Sequence, residues 1–359
     1  MTNNSFVNLT NLKKLTLRCK LNRIESDCFM KLQKLEYLDF RRNNLGKLSK
    51  DIFSGLNNLK ILNLRDCKIS QICDNVFDNL KNLEELNLSS NYIGTLSAKI
   101  FKHLVNLKAL SLSECNITYI QDFSFEKLKN LSELDLSWNL IEIITSNTFN
   151  GLINLKKLNL YECFLRSIDD DAFIHLKYLD KLNISQSFTL FNSVKIDNLS
   201  RSWFRESVNL KKLYLHNLGF KLIQTNSFIN TNSLQELTVT FNFIERLNVN
   251  TFNGLEKLTK LNLFECGIKY IDEFTFKSLN KLECLYLINN KIDSIKNNHF
   301  FGLVNLKELY LSNCGIRSIQ SYSFYHINDL KVLDLSGNSV KIDNINEIKG
   351  LEKLKNIKY

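Results

Sequence analysis

The stretch LEELNLSSNYIGTLSAKIFKHLVN, residues 83–106, decides how this chain folds. Its Leu86 and Leu88 alternate with Glu85 and Asn87, the period-two pattern of a short strand with one wet face. Asn91, Ile93 and Leu96 follow, and Phe101 and Leu104 close the unit. The same frame returns as Leu131, Leu134, Leu136, Asn139, Ile141, Ile144, Phe149 and Leu152. Its phenylalanine recurs every 24 residues, at Phe29, Phe53, Phe77, Phe101, Phe125, Phe149 and Phe173. After one longer step the beat resumes at Phe204, Phe228, Phe252, Phe276, Phe300 and Phe324. A strict period in this range marks a stack of repeats. One unit alone would leave its apolar faces wet, so burial comes only from its neighbours.

This frame, L-x-x-L-x-L-x-x-(N/C)-x-(L/I) closed by F-x-x-L, resembles the leucine-rich repeat family in its typical 24-residue class, over roughly residues 6 to 359. The resemblance implies an α/β solenoid, a curved horseshoe with a parallel concave β-sheet and an irregular or short-helical convex side. The residues lead to the same geometry. Each L-x-L gives one strand, and strands about 4.8 Å apart over fourteen units make an arc on the order of 65 Å. The bulkier Phe segment belongs on the outer side, which bends the stack around its sheet.

The ninth position of the unit alternates. Asn43, Asn91, Asn139, Asn242, Asn290 and Asn338 hold it in even-numbered units. Cys67, Cys115, Cys163, Cys266 and Cys314 hold it in odd ones, joined by Cys19 after a one-residue deletion. An inward Asn can satisfy backbone groups at the turn, and a small, semi-apolar Cys can fill the same slot. The rhythm points to duplication of a 48-residue block. It breaks at the eighth unit, where Leu179–Asn209 is longer and Ser187 takes the ladder position, while Leu218 takes it in the ninth. We read residues 1–359 as a single solenoid with an irregular seam at 179–233. The segment Phe188–Trp203 is expected either as a loop that touches a partner or as a convex insertion.

Composition adds bounds. Proline is absent and the net charge is +10. Neither a signal peptide nor an apolar stretch of bilayer length is visible. The chain starts and stops in mid-repeat, which leads us to expect an incomplete chain. The other expectation is self-capping by 344–353, with Ile345, Ile348 and Leu351 on one face of a short helix. Six of the nine cysteines sit two strands apart, too far to bridge. Seven N-x-S/T sequons occur, about the number that chance supplies in so Asn-rich a chain.

Enzymatic motifs are missing: no G-x-G-x-x-G, Walker loop, H-E-x-x-H or G-x-S-x-G. His103, His175 and His326 share a slot but lie three or more repeats apart, so they cannot meet around a metal. Cys284 has no His in register and reads as a bystander thiol. No enzyme, cofactor or metal centre is expected.

On the concave face basic and acidic residues nearly balance, so nucleic-acid binding there is poorly supported. Lys13, Lys14, Arg18, Arg41, Arg42 and Arg65 nonetheless cluster in the first repeats, followed by Asp66, Glu84, Glu85, Glu114, Glu133, Asp135 and Glu162. The better site candidates are rings expected to face outward: Trp138, Tyr161, Tyr214, Phe241, Phe264, Tyr286 and Tyr310, with His216 beside them. Exposed aromatics on a rigid sheet suit an interface, although strand propensity alone also favours them. The resemblance implies part of a cell-surface or secreted receptor or adhesion ectodomain, as in Toll-like receptors, Slit or chaoptin. It would recognise a protein or glycan, with dimerisation through a lateral or concave face compatible. An intracellular scaffold or regulatory subunit on the same fold is the alternative.

Overall fold

The structure is a computed structural model and describes residues 5–22, 24–186, 196–340 and 349–359. Its contacts divide the chain into two compact units, Met1–Leu179 and Asp180–Tyr359. Among the described residues, unit one contributes seven three-residue strands to parallel sheet, from Lys14–Thr16 to Lys157–Asn159. Unit two contributes eight, from Lys181–Asn183 to Asn356–Lys358.

The middle leucine of each strand sets the register. In unit one Leu38, Leu62, Leu86, Leu110, Leu134 and Leu158 lie side by side, and all are buried. In unit two Leu182 pairs directly with Leu213, so the elongated eighth repeat takes up its extra residues after the strand and costs no register. Behind the strands all thirteen periodic phenylalanines are buried. Four successive pairs of these rings in each unit stack nearly parallel, 5.9 to 6.4 Å apart in unit one and 5.6 to 6.5 Å in unit two. The fold is therefore the parallel-strand leucine-rich solenoid implied by the repeat. Its outer side is turns and two-residue strands, and one 3-10 turn, Tyr325–Ile327, is the helical content of the described residues.

A backbone feature follows six of the strands in each unit. The residue before the ladder position takes a left-handed φ in unit one at Arg42, Asp66, Ser90, Glu114, Trp138 and Glu162, between 54° and 63°. In unit two Asn217, Phe241, Glu265, Asn289, Asn313 and Gly337 do the same. The left-handed residue turns the chain so that the next side chain points into the core. There Asn91 Oδ1 accepts the N–H groups of Cys67 and Ile69 at 3.0 and 2.9 Å, and its Nδ2 donates to the carbonyls of Leu64 and Leu88. The Cys115 thiol in turn donates to the Leu88 carbonyl at 3.1 Å.

Each Asn thus ties its even repeat to the odd repeat before it. Two-residue strands tie the even repeat to the odd one after it, as in Thr95–Leu96 with Tyr119–Ile120. These two kinds of tie give the 48-residue block its physical content.

Three expectations need correction or placement. Cys19 is exposed, whereas the other five ladder cysteines are buried. Trp203 is not available to a partner: it is buried and packs on Phe204 and Phe220, with Ile196 and Leu199 buried beside it. Ser187, residues 188–195 of the proposed loop and residues 344–348 of the expected helix lie outside the described residues, and the described half of that helix, 349–353, is turn rather than helix. No helix of the described residues is long and apolar enough to cross a membrane.

Candidate partner-binding surface

The strand edges carry two rows of side chains. One row is the left-handed residue of each repeat; the other is the residue just before it. The N–H of a left-handed residue donates to the carbonyl of the second row one repeat on, as from Trp138 to Tyr161 at 2.7 Å. This bond fixes the spacing of the rings it joins. Trp138 meets Tyr161 edge-on with centroids 5.5 Å apart. In unit two the same bond runs from Phe241 to Phe264 at 3.0 Å, and their rings meet edge-on at 4.9 Å. His216 closes against Phe241 at 4.8 Å, and its Nδ1 lies 2.7 Å from the Thr240 hydroxyl. Burial holds the His216 pKa below its ordinary value, so the ring is neutral at neutral pH.

The remaining rings stand on the strands themselves. Tyr286 and Tyr310 are paired in register and stack face to face, 4.8 Å apart with planes 4° from parallel. The Lys260 ammonium lies 5.5 Å from the Tyr286 ring, and that of Lys181 lies 5.4 Å from Tyr214, both in cation–π range. Tyr310 donates to Glu308 at 3.1 Å, and the Cys284 thiol reaches the same carboxylate oxygen at 3.4 Å. Burial, chiefly, pushes Cys284 up to about 11, so it stays a protonated thiol at neutral pH. Burial and then Glu308 push the Tyr310 phenol up to about 12.

Of the eight rings expected on the surface, only Trp138 is exposed outright, at 54%. The other seven are half-buried. Parallel strands bring residues of neighbouring repeats within about 5 Å of each other, so rings in register cover one another. Periodicity gives the side of the sheet a residue faces, and says little of how far its neighbours shield it.

A further surface group lies outside these two rows. Phe274, Phe301, Tyr325 and His326 form a chain of edge-on rings on the outer turns of unit two. They flank the periodic phenylalanines, a signal the repeat alignment does contain. Of the six basic residues in the first repeats, Arg18, Arg41, Arg42 and Arg65 line one pocket of about 540 Å³ with Asp66, Ser90 and Glu114.

Among known proteins, the family model for leucine rich repeats matches residues 10–69, 57–117, 105–162, 265–316 and 304–358. A model of the BspA type leucine rich repeat region matches 188–283. No curated protein matches the chain in sequence. The chain is similar to the solved TLR13–ssRNA13 complex, at 26% identity and a TM-score of 0.79, covering all of this chain and 48% of that one. It is similar in fold to Toll in the Drosophila Toll–Spatzle complex, at 20% identity and 0.73, covering 99% and 46%. A leucine-rich repeat protein of Leptospira interrogans shares the fold at 24% identity and 0.74, covering 99% of this chain and 92% of that one. The chain thus spans about half the length of the first two of these. With repeat models matching well over half its length, and the motif residues seated as buried strand and ladder, the chain belongs to the leucine-rich repeat family.

Proposed function

We propose that this chain is a protein-binding module of a cell-surface or secreted receptor-type ectodomain, and that partners seat on the rings at its strand edges. One observation carries this reading. Trp138 holds a left-handed φ of 59° with its indole exposed, in a slot that Arg42, Asp66, Ser90 and Glu114 fill elsewhere in unit one. Left-handed backbone costs a bulky residue about 1–2 kcal/mol, and such outliers concentrate where a surface is used. Phe241 repeats the arrangement in unit two.

The fold shared with TLR13 and Toll supports an ectodomain role. TLR13 was solved with ssRNA, yet a protein partner is favoured here, because Asp66, Glu114, Glu133 and Asp135 would repel a polyanion along unit one.

The test is Trp138→Ala combined with Tyr161→Ala, measured against a partner selected from an array of secreted and membrane ectodomains. The melting temperature should stay nearly constant while affinity falls at least about tenfold, the scale of an aromatic hot spot. Unchanged affinity would remove this patch. The nine free cysteines favour the second reading, an intracellular scaffold. Asn116 lies exposed in a sequon, and a glycan on it in protein from the native source would decide for the secretory route.

A further inference from the structure

Four guanidinium groups gather in unit one. Arg18 and Arg41 both bond the carboxylate of Asp39, at 2.7 and 2.8 Å, and the Asp39 side chain has no exposed surface. Burial pushes the Asp39 carboxyl up, but hydrogen bonds from Arg41 and Arg18 outweigh it and hold the group well below the usual carboxylate range. One buried anion therefore fixes two cations and leaves a positive charge over. Arg42 and Arg65 line the same pocket, and among the described residues no hydrogen bond or ion pair engages their guanidinium groups.

The pocket then changes sign. Its far side is Asp66, Ser90 and Glu114, where the Ser90 hydroxyl donates to Glu114 at 3.2 Å. Arg42, Asp66, Ser90 and Glu114 are consecutive members of the left-handed row. Each backbone N–H is tied to the next repeat at 2.8 to 3.1 Å, so the row is rigid. At about 4.8 Å per strand the row spans about 14 Å, the length of about four residues of extended chain.

We propose that this row, with Arg65 of the neighbouring row in the same pocket, binds an extended peptide segment of a partner protein, with acidic side chains over Arg42 and Arg65 and basic side chains over Asp66 and Glu114. The inference rests on the protein-binding reading above and specifies the partner's charge order. Guanidinium groups hold carboxylates in paired hydrogen bonds, which gives the acidic end its geometry. A nucleic acid or sulfated glycan would satisfy the arginines but carry its charge past Asp66 and Glu114, where like charges repel. A uniformly basic segment fails at the other end.

The experiment measures binding to the intact chain, by fluorescence anisotropy at low salt, of four end-capped probes. These are a peptide of three aspartates followed by three lysines, hexa-aspartate, hexa-lysine and a single-stranded hexanucleotide. The mixed peptide should bind at least about tenfold tighter than any other probe. Arg42→Gln with Arg65→Gln should weaken it at least about tenfold, with the melting temperature unchanged. Asp66→Asn with Glu114→Gln should weaken it too, while tightening hexa-aspartate and the oligonucleotide. Because the second pair gains affinity for two probes, loss of folding cannot imitate the result. Equal binding of the mixed peptide and either polyanion overturns the proposal, as do charge variants without effect. Should the peptides fail while Trp138→Ala with Tyr161→Ala still weakens the selected partner, the protein-binding reading stands and only the charge order falls.

Discussion

Asn139 concentrates much of the fold's polar logic in one side chain. Its Oδ1 accepts the N–H groups of Cys115 and Ile117, and its Nδ2 donates to the carbonyls of Leu112 and Leu136. All of these groups are buried. An unsatisfied buried donor or acceptor costs about 1–3 kcal/mol, so Asn139→Ala should lose at least about 3 kcal/mol in urea unfolding. The ladder cysteines sit in the same slot with less at stake, since the Cys115 thiol donates chiefly to Leu88 at 3.1 Å. A loss of under about 1 kcal/mol for Asn139→Ala would show that the Asn ladder is incidental. The ladder itself was legible from the alternation of Asn and Cys. The left-handed turn that aims it inward was not, because Arg, Asp, Ser, Glu and Trp all occupy that slot and share no sequence signature.

Between repeats, alternation extends in several units to the residue before the periodic phenylalanine. In odd repeats Ser124 and Thr275 donate to the carbonyls of Gln121 and Asp272. In even repeats Thr148 and Thr251 accept the N–H groups of Thr145 and Asn248, each at 2.9 Å. His299 holds this even slot in its repeat, its Nδ1 accepting the Lys296 N–H at 3.3 Å. Burial, with Lys296 adding to it, lowers His299 from 6.5 to about 4. The folded state therefore refuses a proton that the unfolded chain accepts between those values, and stability falls as pH drops from 6.5 to about 4. His299→Thr, which supplies the hydroxyl that Thr148 and Thr251 place in this slot, should flatten that slope. Equal slopes of urea midpoint against pH for parent and variant would refute the assignment.

Across the whole chain, 47 Lys and Arg face 37 Asp and Glu, and many of the acids are paired one repeat apart. Glu36 with Lys60, Glu84 with Lys108 and Glu133 with Lys157 lie 2.6 to 2.8 Å apart. These are exposed pairs, each worth little by itself. Asp39 differs, being buried with its pKa depressed by two arginines, so its contribution is present above the ordinary carboxylate pKa near 4 and lost as pH falls below it. Protonating the carboxylates also leaves the positive charges unopposed. The melting temperature should drop steeply below about pH 4, and added salt should recover part of the drop by screening repulsion. A flat profile in that range would contradict this account.

Spacing alone determined the stack, the strand register, the buried phenylalanines and the Asn–Cys ladder. Such features depend only on which residues must leave water, and a constant period repeats that demand identically in every unit. Tertiary structure decided which rings pair, how far they are shielded, and that Asp39 vanishes beneath Arg18 and Arg41. Those outcomes arise where side chains meet across strands, as Arg18 and Asp39 do 21 residues apart, and where a left-handed backbone turns a charged or aromatic residue outward at the strand edge.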